Sequence, residues 1–199
     1  MFVHARRNKE QIEMNEVLNA ISTRRSIRLF KPEQLRQEDV DAIVEAGLYA
    51  PSANNAQNWH FTVIQNSAMI EKVNKWVLTE IEMSGNANLQ EMIKRGSGSI
   101  FRNAPTVIIV STERKDRFGV INAAAATENM LIAAESLGIG SCWIGMAAIL
   151  SGSKNVESYA RELHLPDGYA PQIGITLGYK EGVTPLAPER KPNLVSYIP

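Results

Sequence analysis

Three arginines and one serine lie close together near the start of the chain, in the segment Arg24-Arg25-Ser26-Ile27-Arg28. A guanidinium group can donate two parallel hydrogen bonds to phosphate oxygens, and a serine hydroxyl adds a further donor. The segment could therefore hold a phosphate together with the polar edge of a heterocycle. A solvated basic turn would have the same composition, so this segment alone does not identify a site.

A second polar segment, APSANNAQNW at residues 50–59, follows a predicted helix and precedes a predicted strand. The amides of Asn54, Asn55 and Gln57 can each donate and accept hydrogen bonds, as can free backbone groups in a loop. Such groups suit the edge of a ring system. Asparagine-rich loops are also ordinary turns, so this segment is ambiguous when taken alone.

Signatures of several common enzyme classes are missing from the sequence. It has no G-x-S-x-G motif and no G-x-x-x-x-G-K-[ST] loop, and the glycine-rich stretches at residues 96 and 138 lack the third glycine of the dinucleotide fingerprint. His4, His60 and His164 have no cysteine or carboxylate at metal-ligand spacing. A covalent hydrolase, a P-loop enzyme and a zinc protein are therefore disfavoured, and Cys142 is predicted to be an inert core thiol.

The composition favours a protein that binds small molecules. Its 199 residues include 21 basic and 21 acidic side chains, whereas nucleic-acid-binding proteins usually carry a basic excess. The single cysteine gives no sign of an oxidising compartment, and no stretch approaches the roughly 20 apolar residues of a membrane span. We expect a cytoplasmic protein without nucleic-acid or membrane partners, made of an extension (residues 1–14) and one domain (residues 15–199).

Apolar residues recur at helical spacing in four parts of the chain. The predicted helices lie at residues 36–49, from Ser67 to about Ile81, at residues 119–138 and around residues 156–163. Gly138 is expected to end the third helix, whose alanine content favours burial among its neighbours. Between Asn86 and Phe101 the pattern is weak.

Short apolar and β-branched runs predict strands between these helices. They lie at residues 61–65, 106–111, 141–146 and 171–178. The run TVIIVS at 106–111 is apolar on both faces, which suits a central strand. Four of the nine prolines fall in the last fifteen residues, which favours an extended arm lying either on its own domain or across a partner subunit.

The order and spacing of these segments resemble a known family. R-R-S-x-R-x-F is followed about 25 residues later by A-P-S-x-x-N-x-Q-x-W-H-F. An alanine-rich helix then runs into E-N-M-L-x-A-A-x-S-L-G-x-G-S-C-W-I-G, and L-G-Y and a basic tail come last. From about Ile21 to the C-terminus, the chain is similar to the FMN-dependent nitroreductases.

This resemblance implies an α+β fold, with a mixed, mainly antiparallel sheet of four or five strands flanked by helices. It also implies a homodimer with exchanged C-terminal arms and FMN at the interface. Arg24, Arg25, Ser26 and Arg28 of one subunit would bind the flavin. Arg28 would place a positive charge near the pyrimidine ring, where it stabilises the anionic reduced form.

Further flavin contacts are implied by matched positions. Those from the other subunit are Pro51, Ser52, Ala53, Asn54, Asn55 and Gln57. Arg190 would clamp the phosphate, with Lys191 as its alternative. Ile144-Gly145-Met146 replaces an Ile-Glu-Gly or similar triplet of many relatives, so a backbone contact would take the place of a side-chain contact. Asn122 stands where close relatives often carry an acidic residue.

The implied activity is the reduction of a small organic acceptor such as a nitroaromatic or a quinone. Hydride from NADH or NADPH would pass through flavin N5, and no side chain would act as a nucleophile. Two alternatives stay open: a different reduction on the same fold (enone, azo, dehalogenation or flavin breakdown), and a non-catalytic flavin-binding module. The physiological acceptor and the preferred nicotinamide are not assigned.

Overall fold

A computed structural model describes residues 15–95 and 98–198 of the chain. Within them the chain forms six α-helices and two 3-10 helices. The α-helices are α1 (Glu16–Thr23), α2 (Gln37–Leu48), α3 (Ser67–Met83), α4 (Ala87–Arg95), α5 (Gly119–Ser136) and α6 (Val156–Glu162). The 3-10 helices are Ala53–Asn55 and Gly145–Gly152. The extension predicted at residues 1–14 lies outside the described residues.

Four strands form one sheet. They are β1 (Trp59–Ile64), β2 (Thr106–Glu113), β3 (Ile139–Ile144) and β4 (Tyr169–Tyr179), and their order across the sheet is β1-β2-β4-β3. Every neighbouring pair is antiparallel. A single parallel bridge, between Ser26 and Ser141, is added at the outer edge of β3. The predicted α+β fold with a mainly antiparallel sheet is confirmed.

The sheet separates two hydrophobic cores. Ile108 and Val110 of β2 belong to the core shared with α2 and α5, whereas Val107 and Ile109 belong to the core shared with α3 and α6. Successive side chains of a strand point to opposite faces, so a strand covered on both sides must be apolar throughout. The predicted central position of this strand is confirmed.

The strongly periodic helices lie where the sequence predicts them. α3 buries Ile70, Val73, Val77 and Ile81, and the side chain of Asn66 caps its start by accepting from the Met69 N–H at 2.9 Å. Gly138 follows α5 with φ +74°, a conformation that ends helices and that glycine adopts freely. No helix among the described residues is long and apolar enough to cross a membrane.

The structure corrects three sequence-based expectations. α4 lies in the segment whose pattern is weak, and among its described side chains Leu89 and Ile93 pack against the core. β1, β3 and β4 each begin two residues earlier than predicted. The expectation that α5 is buried is wrong for one face, because Val120 and Ile121 are 60% and 65% exposed.

The C-terminal arm, residues 181–198, contains no helix or strand, as its prolines predict. Its large apolar side chains are between 68% and 95% exposed. They are Val183, Leu186, Leu194, Val195, Tyr197 and Ile198. The arm therefore does not bury its apolar residues on its own domain.

Candidate cofactor-binding site

The arginine segment, residues 24–28, leaves α1 and runs along the outer edge of β3. The Ile27 N–H donates to the Ser141 carbonyl at 2.9 Å, and Phe30 forms a second bridge with Lys180. Ile27 and Phe30 are buried, at 4% and 8% exposure, while Arg28 between them is exposed. The segment is thus anchored by its apolar residues and presents a guanidinium group to solvent.

Two glycines allow this segment to lie so close to the sheet. A Cβ atom at Gly140 would lie 3.0 Å from Ile27 Cγ2, and one at Gly178 would lie 2.9 Å from Phe30 Cδ1. Distances this short are repulsive, so a larger residue at either position would push the segment outward. Gly140 and Gly178 therefore help to set the position of the arginines.

The three guanidinium groups have few acidic neighbours. Arg25 donates to the Ser22 carbonyl at 2.9 Å and thereby closes the last turn of α1, and Arg28 donates to the Ser26 carbonyl at 3.3 Å. The nearest carboxylate oxygen among the described residues is that of Glu128, 3.7 Å from Arg24 Nε. Positive charge is therefore left available for an anion such as a phosphate.

The polar loop, residues 51–58, has an unusual backbone. Asn54, Asn55 and Gln57 have φ values of +56°, +52° and +47°, in the left-handed region that asparagine tolerates and glutamine rarely adopts. The Ser52 hydroxyl accepts from the Gln57 N–H at 3.0 Å, and Asn55 Oδ1 accepts from Gln57 Nε2 at 3.0 Å. Backbone conformations of this kind concentrate at functional sites.

A cluster of Asn58, Asp116 and Asn122, here called the amide cluster, ties the polar loop to α5. Asn122 is 2% exposed, and its Oδ1 accepts from the Ala53 N–H at 3.0 Å. Asn58 Nδ2 donates to Asp116 Oδ2 at 2.6 Å. This bond, followed by one from the Phe118 N–H, lowers the pKa of Asp116 below its ordinary value. Asp116 is therefore ionised at neutral pH.

The arginine segment and the polar loop approach opposite edges of the sheet. The arginine segment flanks β3, and the polar loop leads into β1. Four strand spacings separate these positions, or about 19 Å. No hydrogen bond or ion pair between described residues joins the two segments. One chain therefore holds both groups of predicted site residues without bringing them into contact.

The remaining predicted residues lie at the end of β3, at the start of the 3-10 helix Gly145–Gly152 and on the arm. Ile144 ends β3 and is buried, whereas Gly145 is exposed. A Cβ atom at Gly145 would meet nothing closer than Trp143 Nε1 at 3.8 Å, so packing within the chain does not require glycine there. Met146 packs against the core. Arg190 and its alternative Lys191 are exposed on the arm.

Most of the amide cluster does not stand out in the sequence. Asn122 is notable there only for its residue type, Asn58 only as a member of the polar segment at residues 50–59, and Asp116 has no predicted role. One local signal was available: Asp116 Oδ1 accepts from the Phe118 N–H at 2.9 Å, the short-range turn that aspartate forms just before a helix. The contact with Ala53 spans 69 residues, and no local pattern reports it.

The described histidines and potential metal ligands do not form a competing centre. Burial lowers the pKa of His60 on β1, so that its imidazole is neutral at pH 7. Among residues 15–95 and 98–198, no three histidine, cysteine or acidic side chains come together as a metal site. The candidate site therefore consists of the arginine segment, the polar loop, the end of β3 and the arm.

Solved structures share this architecture. A nitroreductase from Bacteroides fragilis with bound FMN is 34% identical, covers 92% of this chain and 99% of its own, and gives a TM-score of 0.85. A nitroreductase from Desulfitobacterium hafniense with bound FMN is 26% identical, covers 93% of this chain and 99% of its own, and also gives a TM-score of 0.85. The protein is thus an α+β protein with the fold of these nitroreductases.

Sequence relatives agree with the fold. The nitroreductase family model matches residues 21–179. A Methanothermobacter thermautotrophicus protein named "Putative NADH dehydrogenase/NAD(P)H nitroreductase" is 32% identical over 173 residues, which are 85% of this chain and 80% of that protein. The chain belongs to the nitroreductase family of oxidoreductases.

Proposed function

We propose that this protein is an FMN-dependent oxidoreductase that works as a homodimer and uses NADH or NADPH to reduce a small organic acceptor, such as a nitroaromatic or a quinone. The observation that carries this proposal is the placement of two polar segments at opposite edges of one sheet. Each segment offers groups suited to a different part of FMN. In a homodimer, one copy of the chain could supply the arginine segment and the other copy the polar loop to the same FMN.

The residues present fit the parts of FMN. The guanidinium groups of Arg24, Arg25 and Arg28 suit the phosphate and the electron-rich edge of the ring. Their positive charge is little neutralised within the chain, because the nearest described carboxylate oxygen, that of Glu128, is 3.7 Å from Arg24. The amides of Asn54, Asn55 and Gln57 are exposed and suit the donors and acceptors of the pyrimidine edge. Arg190, on the arm, would add a further cation for the phosphate.

A homodimer is supported by the apolar surface of the single chain. α1 packs against α5, and both present large apolar side chains that are more than 50% exposed. These are Val17, Leu18 and Ile21 on α1 and Val120 and Ile121 on α5. Large exposed apolar side chains on two packed helices suit an interface, and a two-fold contact uses the same surface of both copies. The apolar arm would then lie on the partner.

The chain's own residues bind and orient the reactants in this proposal. Bound FMN would supply the redox chemistry, accepting two electrons from the nicotinamide and passing them to the acceptor. Arg28 would stabilise negative charge on the reduced ring. A Cβ atom at Gly145 would meet only Trp143 within 4 Å, so this position leaves room for a pocket that the nicotinamide and the acceptor would occupy in turn.

The test is the colour of the purified protein under anaerobic conditions. We expect a yellow protein that bleaches on addition of NADH or NADPH and regains its colour when a nitroaromatic or a quinone is added. Free FMN at the same concentration, with the same nicotinamide, is the control. A yellow protein that does not bleach would indicate a flavin-binding module, and a protein that binds no FMN would refute the proposal.

A further inference from the structure

The polar loop keeps a backbone that its own bonds do not fully explain. Three non-glycine residues in the left-handed region persist only where surrounding groups impose that conformation. Within the loop, Gln57 donates to the Ser52 hydroxyl and to Asn55 Oδ1, and the Asn55 N–H donates to the Ser52 carbonyl at 3.0 Å. A further restraint comes from outside the loop, where the Ala53 N–H donates to Asn122 Oδ1 on α5.

Both ends of the Asn122 amide are used. Oδ1 accepts from Ala53, while Nδ2 donates to Asn58 Oδ1 at 3.1 Å and to Asp116 Oδ2 at 3.3 Å. The second amide of the cluster, that of Asn58, donates to the same Asp116 oxygen. Every contact therefore joins a donor to an acceptor. An aspartate at position 122 would keep the bond to Ala53. Its second carboxylate oxygen would face Asn58 Oδ1 and Asp116 Oδ2, which are both acceptors, so these two hydrogen bonds would be lost.

The surroundings of the cluster keep Asp116 charged. Its carboxylate accepts from Asn58 Nδ2 and from the Phe118 N–H, and the neighbouring Arg117 adds a positive charge. Asp116 lies in the turn between β2 and α5, and Asn122 lies in the first turn of α5. The cluster thus fixes the loop to two elements of the fold at once.

We propose that Asn122 is a positioning residue for the flavin, which together with Asp116 and Asn58 holds the polar loop in its binding conformation before the cofactor arrives. This inference rests on the proposed function, from which the loop takes its role. A loop already ordered in the free protein loses less conformational freedom on binding, and its ligand binds more tightly. Asn122 itself need not touch the flavin.

The experiment measures FMN affinity of the deflavinated full-length protein by quenching of flavin fluorescence. At pH 8 we expect Asn122→Asp and Asn122→Ala to bind FMN about 10- to 100-fold more weakly than the wild type, the loss typical of unsatisfied buried polar groups. Gln37→Glu is the matched control, because Gln37 Nε2 donates to Asp41 Oδ1 at 2.8 Å on the exposed face of α2. Its affinity should equal that of the wild type.

The dependence on pH separates positioning from a general packing defect. The added carboxyl of Asn122→Asp faces Asp116, which raises its pKa, and once protonated it can donate a hydrogen bond. Its FMN affinity relative to the wild type should therefore recover between pH 8 and pH 5. The ratio for Asn122→Ala should stay low throughout. Wild-type affinity of Asn122→Asp at pH 8, or an identical pH-independent loss in both variants, would overturn the inference.

A third variant keeps the inference testable if the two Asn122 variants do not fold. Asn58→Ala removes the bonds to Asp116 and Asn122 from the loop side and substitutes no residue of α5. Circular dichroism shows whether each variant is folded. Wild-type FMN affinity in folded Asn58→Ala would also overturn the inference, whereas wild-type protein that binds no FMN would refute the proposed function instead.

Discussion

Arg28 and Arg190 are the two site residues whose charge is least engaged in the single chain. Arg28 makes one 3.3 Å bond to the Ser26 carbonyl beside it, and Arg190 is exposed on the arm. Exposed arginines without close partners contribute little to folding. Their side chains can therefore be removed without unfolding the domain.

We expect the double variant Arg28→Ala, Arg190→Ala to purify as folded but colourless protein, because it loses cations proposed to lie at the ring and at the phosphate. The measurement is the ratio of flavin absorbance to protein, with circular dichroism to verify folding. The control is Arg161→Ala, Lys115→Ala, which removes two exposed cations elsewhere. Stoichiometric flavin in the first variant would place the site elsewhere.

At this scale the sequence predicts residue types better than contacts. The arginine segment and the polar loop stand out because their chemistry is local and uninterrupted. The role of Asn122 could not be predicted, because it depends on Ala53 and Asn58, which are 69 and 64 residues away. Only the packing of α5 beside the loop brings these groups together.

Three elements meet at a second buried polar group, the carboxylate of Glu80 on α3. It accepts from the Ser153 hydroxyl at 2.6 Å and the Tyr159 hydroxyl at 2.7 Å, and from Asn155 Nδ2 at 3.3 Å. Burial alone would raise the pKa of Glu80, but these hydrogen bonds lower it below its ordinary value. Glu80 thus joins α3 to α6 and to the end of the 3-10 helix Gly145–Gly152, at whose start the predicted site residue Gly145 lies.

Glu80→Gln should lower the free energy of unfolding by about 1–3 kcal/mol near neutral pH, the range for weakened bonds to a buried charged group. Because the pKa of Glu80 is lower in the folded state, its ionised form stabilises the protein above the unfolded value of about 4.3, and this contribution is lost as the pH falls through the folded value. The difference between wild type and variant, measured by urea unfolding, should therefore shrink below about pH 4.3.

Glu157→Gln is the matched control for that measurement. Glu157 pairs with Arg114 at 2.6 Å on the surface, where such pairs contribute about 0–1 kcal/mol. It should change stability little at any pH. An equal loss in both variants, or a Glu80 difference that grows in acid, would contradict the assigned role of Glu80.

Elements with strong periodicity are predictable, and those held by tertiary contacts are not. Four core residues at helical spacing locate α3, whereas Leu89, Met92 and Ile93 keep that spacing over little more than one turn, too short a run to distinguish a helix from a loop. In α5 the alanines indicate close packing but not how many sides are covered. Val120 and Ile121 expose a face that, in the proposed dimer, the partner would cover.

For the whole molecule, the exposed apolar arm has the clearest consequence. We expect the triple variant Leu194→Ser, Tyr197→Ser, Ile198→Ser to shift the protein from dimer toward monomer, because these side chains are exposed in the single chain and would be buried only against the partner. Analytical ultracentrifugation measures the change, and Arg190 is retained in the variant. Met83→Ser, at an exposed apolar residue on α3, should leave the dimer intact. A wild-type monomer would remove the basis of the proposed site.

The strand order could not be predicted from periodicity. Alternation of apolar residues shows that a strand is covered but not which strand lies beside it, and the order β1-β2-β4-β3 joins segments far apart in the chain. The expectation of a mainly antiparallel sheet came from the resemblance carried by the arginine segment, the polar loop and the motif around Cys142.

The placement of the two segments at opposite edges of the sheet has a genetic consequence. In the proposed homodimer each chain lends its arginines to one flavin and its loop to the other. A homodimer of chains with substituted arginines would be inactive, and so would a homodimer of chains with a substituted loop. A heterodimer of the two chains would have one site that carries both defects and one intact site. Two defective alleles would therefore complement each other.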